Sequence, residues 1–169
     1  MTTYSLRTLR LRAGEGLRDA VSIQLEPFSL GGEPYLPVPA EVPAELTIDR
    51  ATGGDVFRLR FETRLHGPCM RCLADAVAAI AVDAREYHAA DPRAHEELRS
   101  AYVVDDRLEL SQWARDAVAL ELPEQILCRA DCAGLCPVCG RDLGVDPHAH
   151  ADEEPDPRWQ ELARLREQL

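Results

Sequence analysis

Six cysteines in this chain fall into two clusters, Cys69-x2-Cys72 and Cys128-x3-Cys132-x3-Cys136-x2-Cys139. Wherever these thiols share a ligand, segments far apart in sequence are held together, and few folds allow that. A two-residue spacer lets both thiolates reach one tetrahedral ion at about 2.3 Å. In Cys136-Pro137-Val138-Cys139-Gly140 the proline restricts the turn and the glycine permits a positive φ beside the sulfurs. Two such pairs supply the four ligands of a closed structural site, so Cys69, Cys72, Cys136 and Cys139 are the preferred zinc ligands. Cys128 and Cys132 are alternative ligands, either in a local site with Cys136 and Cys139 or joined to Cys69 and Cys72. His148 and His150 lie near enough to substitute, but their acidic surroundings read them as solvated.

Other thiol chemistries fit less well. Cys132-x3-Cys136-x2-Cys139 matches the spacing that holds an iron–sulfur cluster in radical S-adenosylmethionine enzymes, but those need a large α/β barrel, and only 30 residues follow Cys139. A dithiol redox centre calls for a Cys-x-x-Cys at a helix N-terminus within a βαβ pattern, which neither pair has. The start of the chain carries Arg7, Arg10, Arg12 and Arg18 with no apolar stretch between them, and the longest apolar runs are too short to span a bilayer. A cytoplasmic protein with no membrane contact is expected. Reducing conditions there argue against a disulfide framework.

The hydrophobic pattern is that of an α+β protein, a small antiparallel β-meander with a few short helices and a zinc-knuckle-like cysteine cluster. Leu46 and Ile48 alternate with polar residues and lead to a turn at Thr52-Gly53-Gly54-Asp55. From Val56 to Leu65, Phe57, Leu59, Phe61, Thr63 and Leu65 face one way and Arg58, Arg60, Glu62 and Arg64 the other. A return strand is expected over Ala76–Tyr87, which puts Cys69 and Cys72 at the hairpin tip. Asp91–Ser100 is a candidate helix, and Asp105-Asp106 a turn between short strands. Ser111 is expected to cap a helix running to Leu120, with Trp113, Ala117 and Leu120 on its apolar face. Three regions follow: residues 1–43, rich in proline, as an N-terminal strand or extended segment packing on the core; 44–141 as the core with both cysteine clusters; and 142–169 as an acidic linker with a short helix from Asp156.

Charge bears on partners. The net charge is −11 overall. Residues 1–85 hold 10 Arg and 11 acids, −1, and residues 86–169 hold 9 Arg and 19 acids, −10. Such an acidic half repels phosphate backbones. Arg58, Arg60 and Arg64, extended by Arg71 at the tip, nevertheless form a stripe that RNA phosphates could contact. The competing reading is a solvated strand face balanced by Glu62. The sequence has no nucleophile elbow, P-loop or dinucleotide fingerprint, so neither an enzyme nor a small-molecule substrate is expected.

Several motifs together resemble the bacterial and plastid YceD family. They are Cys69-Met70-Arg71-Cys72-Leu73 at a strand end, Leu120-Glu121-Leu122-Pro123 after a helix, and Leu127-Cys128-Arg129-Ala130-Asp131-Cys132-Ala133-Gly134-Leu135-Cys136-Pro137-Val138-Cys139-Gly140 followed by Leu143. Asp156-Pro157-Arg158-Trp159 is similar to that family's terminal signature, and the likeness covers about residues 44–169. The family is named for accumulation of large-subunit ribosomal RNA. The resemblance implies a non-enzymatic factor in ribosome biogenesis that binds a ribosomal protein or large-subunit assembly factor, with possible contact to precursor rRNA. Some members lack part of the cysteine set, which implies that metal stabilises and is not itself the activity. The alternative is a zinc-thiolate regulator or adaptor that responds to oxidants or to metal.

Overall fold

The computed structural model describes residues 1–150 apart from Pro92 and Ala94. The helix expected from Asp156 lies outside the described residues. The described chain is mostly antiparallel β-structure with one α-helix, and no described helix is long and apolar enough to cross a membrane.

A long hairpin organises the molecule. Strands β6 (Gly54–Pro68) and β7 (Asp75–Ala89) pair without a break from Gly54↔Ala89 to Pro68↔Asp75. The alternation read from the sequence holds: Phe57, Leu59, Phe61, Thr63 and Leu65 are buried, and β7 answers with Ala76, Ala78, Ile80 and Val82. A slip of one residue would turn this whole set to solvent, so burial fixes the register. The register in turn fixes what lies at the tip, residues 69–74 and their two cysteines.

The other edge of β6 is shared. β5 (Glu41–Arg50) covers its first half and β4 (Glu33–Pro37) pairs near Leu65 and His66. Outside these lie β2 (Gly16–Gln24) on β5 and β3 (Phe28–Leu30) on β4. A division of the chain at residue 43 therefore falls inside β5, and residues 1–43 supply much of the main sheet. Three of the five prolines between residues 27 and 43 sit within strands, Pro34 and Pro37 in β4 and Pro43 opposite Ser22, while Pro27 and Pro39 lie in connections. A strand accepts proline where its N–H has no ladder partner to lose.

A three-stranded sheet, β1 (Thr3–Ser5), β9 (Arg107–Glu109) and β8 (Val103–Val104), lies beside helix α1 (Leu110–Leu120). Asp105 and Asp106 take φ of 50° and 58°, the paired left-handed turn that suits a tight hairpin. Among the described residues of the candidate helix over 91–100, only Glu96–Leu98 is helical, as a single 3-10 turn. Ser111 does not cap α1 but lies inside it, where its hydroxyl donates to the Gln24 carbonyl and accepts from the Thr2 N–H. The helix buries Leu110, Trp113, Ala114, Ala117 and Val118; Leu120 is 86% exposed, because the buried stripe has rotated past it by the last turn.

Among the described residues, one buried side chain, outside the Arg50–Asp55 ion pair, has no partner. Thr63 Oγ1 lies in the core with no hydrogen bond among the described residues. Thr63→Val keeps the side-chain shape and removes an unsatisfied hydroxyl, so it is expected to raise stability by about 1 kcal/mol. Equilibrium urea unfolding of the two proteins checks this.

Candidate metal centre

The hairpin tip is held from three directions. Within it, the Cys69 N–H donates to Ala74 O at 2.7 Å and the Leu73 N–H to Cys69 O at 3.0 Å, with Leu73 at φ 62°. Ile126 O accepts from the Met70 N–H at 2.9 Å, and Arg71 O accepts from the Leu135 N–H at 3.0 Å. The Arg71 guanidinium donates to Gln125 Oε1 at 3.1 Å and to Cys132 O at 3.0 Å. Gly134, at φ 82°, lies against the Arg71 backbone, where a Cβ would come within 3.2 Å of its carbonyl. The segments 125–126 and 132–135 are thus clasped onto residues 69–73.

This clasp sorts the thiols. Cys69, Cys72, Cys128 and Cys132 form one group, with all four sulfurs within 4.8 Å of one another. Cys69 Sγ is 3.7 Å from Cys132 Sγ, and Cys72 Sγ is 3.6 Å from Cys128 Sγ. Sulfurs placed tetrahedrally at about 2.3 Å from a zinc ion are separated by about 3.8 Å. A disulfide needs about 2.05 Å, and all six cysteines are free. The set Cys69, Cys72, Cys136 and Cys139 preferred from the sequence is not brought together. Cys136 and Cys139 lie instead in a second group, with His148 and His150. The reason is topological: Gly134 and Leu135 dock on Arg71, so the chain reaches the tip with Cys132 and turns away before Cys136. The arrangement that pairs Cys69 and Cys72 with Cys128 and Cys132, carried as an alternative in the sequence, is the one the fold assembles.

The electrostatics of the first group suit a cation. Burial pushes the Cys69 thiol up, but the N–H groups of Arg71, Cys128 and Cys72 outweigh it and hold the thiol at about 6. Cys128 is pushed up to about 12, first by its hydrogen bond to Cys72, and Cys132 is raised chiefly by burial. Four thiols this close cannot all ionise alone. A divalent ion removes that penalty and releases the protons. Cys69 and Cys132 are buried and Cys128 is exposed, so one edge of the group faces solvent.

The arginine stripe is placed differently from a free basic patch. Arg58, Arg60 and Arg64 do lie on the outward face of β6, but Asp83, across the hairpin, binds two of them. Arg58 Nε donates to Asp83 Oδ1 at 2.6 Å, and Arg60 Nε to Asp83 Oδ2 at 3.2 Å. Arg71 serves the clasp. Gln125 and Ile126, which complete that clasp, carried no signal in the sequence, since single polar and aliphatic residues in a loop follow no pattern. His148 and His150 had a signal, a His-x-His that begins nine residues after Cys139.

The geometry defines a β-rich protein whose longest hairpin ends in a four-thiol site. The profile described as "Large ribosomal RNA subunit accumulation protein YceD" matches residues 57–166, and the chain belongs to that family. It is 41% identical over 103 residues to the uncharacterized protein Rv2926c of Mycobacterium tuberculosis, a match covering 59% of this chain and 49% of that protein. The uncharacterized protein ML1660 of Mycobacterium leprae is 38% identical over 101 residues, covering 57% and 46%. The chain thus matches about half the length of these relatives. No solved structure matches it.

Two outcomes are expected. Zinc added to the reduced, metal-free protein raises its stability, by about 4 kcal/mol when free zinc is a thousandfold above Kd. Cys132→Ser removes most of that gain, as read by thermal melts with and without a chelator. Separately, its hydrogen bond to Arg58 holds the Asp83 carboxyl down at about 2. Because the folded value lies below the unfolded one, near 3.9, the pair's contribution is complete above about pH 4 and fades as pH falls toward 2. A carboxyl-carbon NMR titration of Asp83 checks the midpoint.

Proposed function

We propose that this protein is a non-enzymatic factor in ribosome biogenesis, supporting accumulation of large-subunit rRNA by binding an assembly partner. The observation that carries this reading is the family match, whose span includes the hairpin and both cysteine clusters. In this reading zinc held by Cys69, Cys72, Cys128 and Cys132 is structural, fixing the tip against residues 125–135 so that the surface around it has one shape. The sulfur separations support a tetrahedral ion of this kind.

Charge favours a protein partner. Asp83 offsets part of the charge of Arg58 and Arg60, while the second half of the chain carries −10. A basic ribosomal protein or assembly factor complements such a surface. The exposed Cys72–Cys128 edge supports a second reading, a regulator whose thiolates oxidise and release zinc. Reversible loss of partner binding under mild oxidant would favour that reading.

Depletion of the protein is expected to lower the ratio of large- to small-subunit rRNA, with rescue by the intact gene; an unchanged ratio would count against an assembly role. Rescue by Arg58→Ser, Arg60→Ser and Arg64→Ser combined is expected to remain near normal. A failure of that variant to rescue, while folded, would show that the stripe touches RNA after all.

A further inference from the structure

Cys136, Cys139, His148 and His150 place one ligand atom each within 4.8 Å of every other, apart from the four-thiol group. Local structure brings them there. The Cys136 N–H donates to Arg141 O and the Gly140 N–H to Cys136 O, both at 2.8 Å, with Gly140 at φ 72°. This is a tight knuckle closed by the Leu135↔Asp142 bridge. Asp142 then turns the chain back. Its side chain accepts from the Gly144 N–H at 2.7 Å and its carbonyl from the Asp146 N–H at 2.9 Å. The return brings His148 to the knuckle.

His148 is oriented as a ligand would be. Its Nδ1 lies 2.7 Å from the Asp146 backbone carbonyl, which can only accept, so the neutral ring carries its proton on Nδ1. That leaves the lone pair on Nε2, and Nε2 is 3.1 Å from Cys139 Sγ. Fixing one ring nitrogen on a carbonyl to free the other is how metal-binding histidines are held. His150 sits edge-on to His148, ring centroids 5.0 Å apart.

Hydrophobic burial does not account for this convergence. Pro137, Gly140 and Ala149 are exposed, and Val138 and Val145 are 64% and 82% exposed. A loop most of whose apolar side chains point to solvent, Leu143 alone being half-buried, yet whose two thiols and two imidazoles meet, has the character of a site ordered by an ion. We infer that Cys136, Cys139, His148 and His150 bind a second zinc ion, separate from the four-thiol site, that latches the acidic segment 142–150 onto the knuckle. Two thiolates and two neutral imidazoles neutralise the ion and complete a closed tetrahedral set.

The test is zinc stoichiometry and coordination in the full chain, reconstituted with zinc under reducing conditions. Native mass spectrometry is expected to show two zinc ions per chain, and X-ray absorption an average shell of three sulfurs and one nitrogen. His148→Ala with His150→Ala should leave one zinc ion with an all-sulfur shell and an unchanged far-UV circular dichroism spectrum. One zinc ion bound by two sulfurs and two nitrogens would support this site and overturn the four-thiol one. A single zinc ion in an all-sulfur shell, unaltered by the histidine changes, would overturn the inference, as would a chain that takes up no zinc.

Discussion

The contact between the β6–β7 hairpin tip and the segment around Cys128 and Cys132 is the constraint on which the rest of the described structure depends. The hairpin carries the core face of the sheet, and its register sets which residues occupy the tip. Without the tip's contacts, residues 122–150 have little to hold them: Ile126, Cys132 and Cys136 are their buried hydrophobic side chains, with Leu122, Leu127, Leu135 and Leu143 partly covered. Five backbone and side-chain hydrogen bonds made by Met70 and Arg71, with the sulfur cluster beside them, replace a hydrophobic core there. Small β-structures extended by loops commonly rely on such cross-links where apolar burial is insufficient.

The charges follow from the same frame. Asp83, opposite Arg58 and Arg60 on the outward sheet face, offsets one of the positive charges that the sequence presents as a basic stripe. The surface left to a partner is then shaped by the clasped tip and by acidic loops. The same clasp is also tied by main-chain bonds.

Much of this was legible in the sequence. The period-two pattern from Phe57 to Leu65 gave β6 and the tip with its cysteines, because a half-buried strand leaves a direct imprint. The Asp105-Asp106 turn and α1 were legible too, although the cap and the outward Leu120 were not, since both depend on what packs nearby. Pro34 and Pro37 masked β4, because a proline whose N–H faces away from the ladder looks the same in sequence as one that breaks it. Ligand grouping was the larger miss. Spacing pairs thiols that are close in sequence, yet which pairs meet is set by Leu135 docking on Arg71, a main-chain contact with no side-chain signature. The histidines read as solvated because their neighbours are acidic, whereas the turn at Asp142 and the Asp146 carbonyl put His148 against Cys139.

Amide hydrogen exchange with and without zinc tests the central claim, that an ion in the four-thiol group holds the tip to the following loops, most directly. With zinc removed, protection of the Met70, Arg71, Cys132 and Leu135 amides should fall while that of Leu59 and Phe61 in mid-hairpin persists. Equal protection of the tip with and without zinc would mean that main-chain and packing contacts suffice, and that the thiols have another purpose.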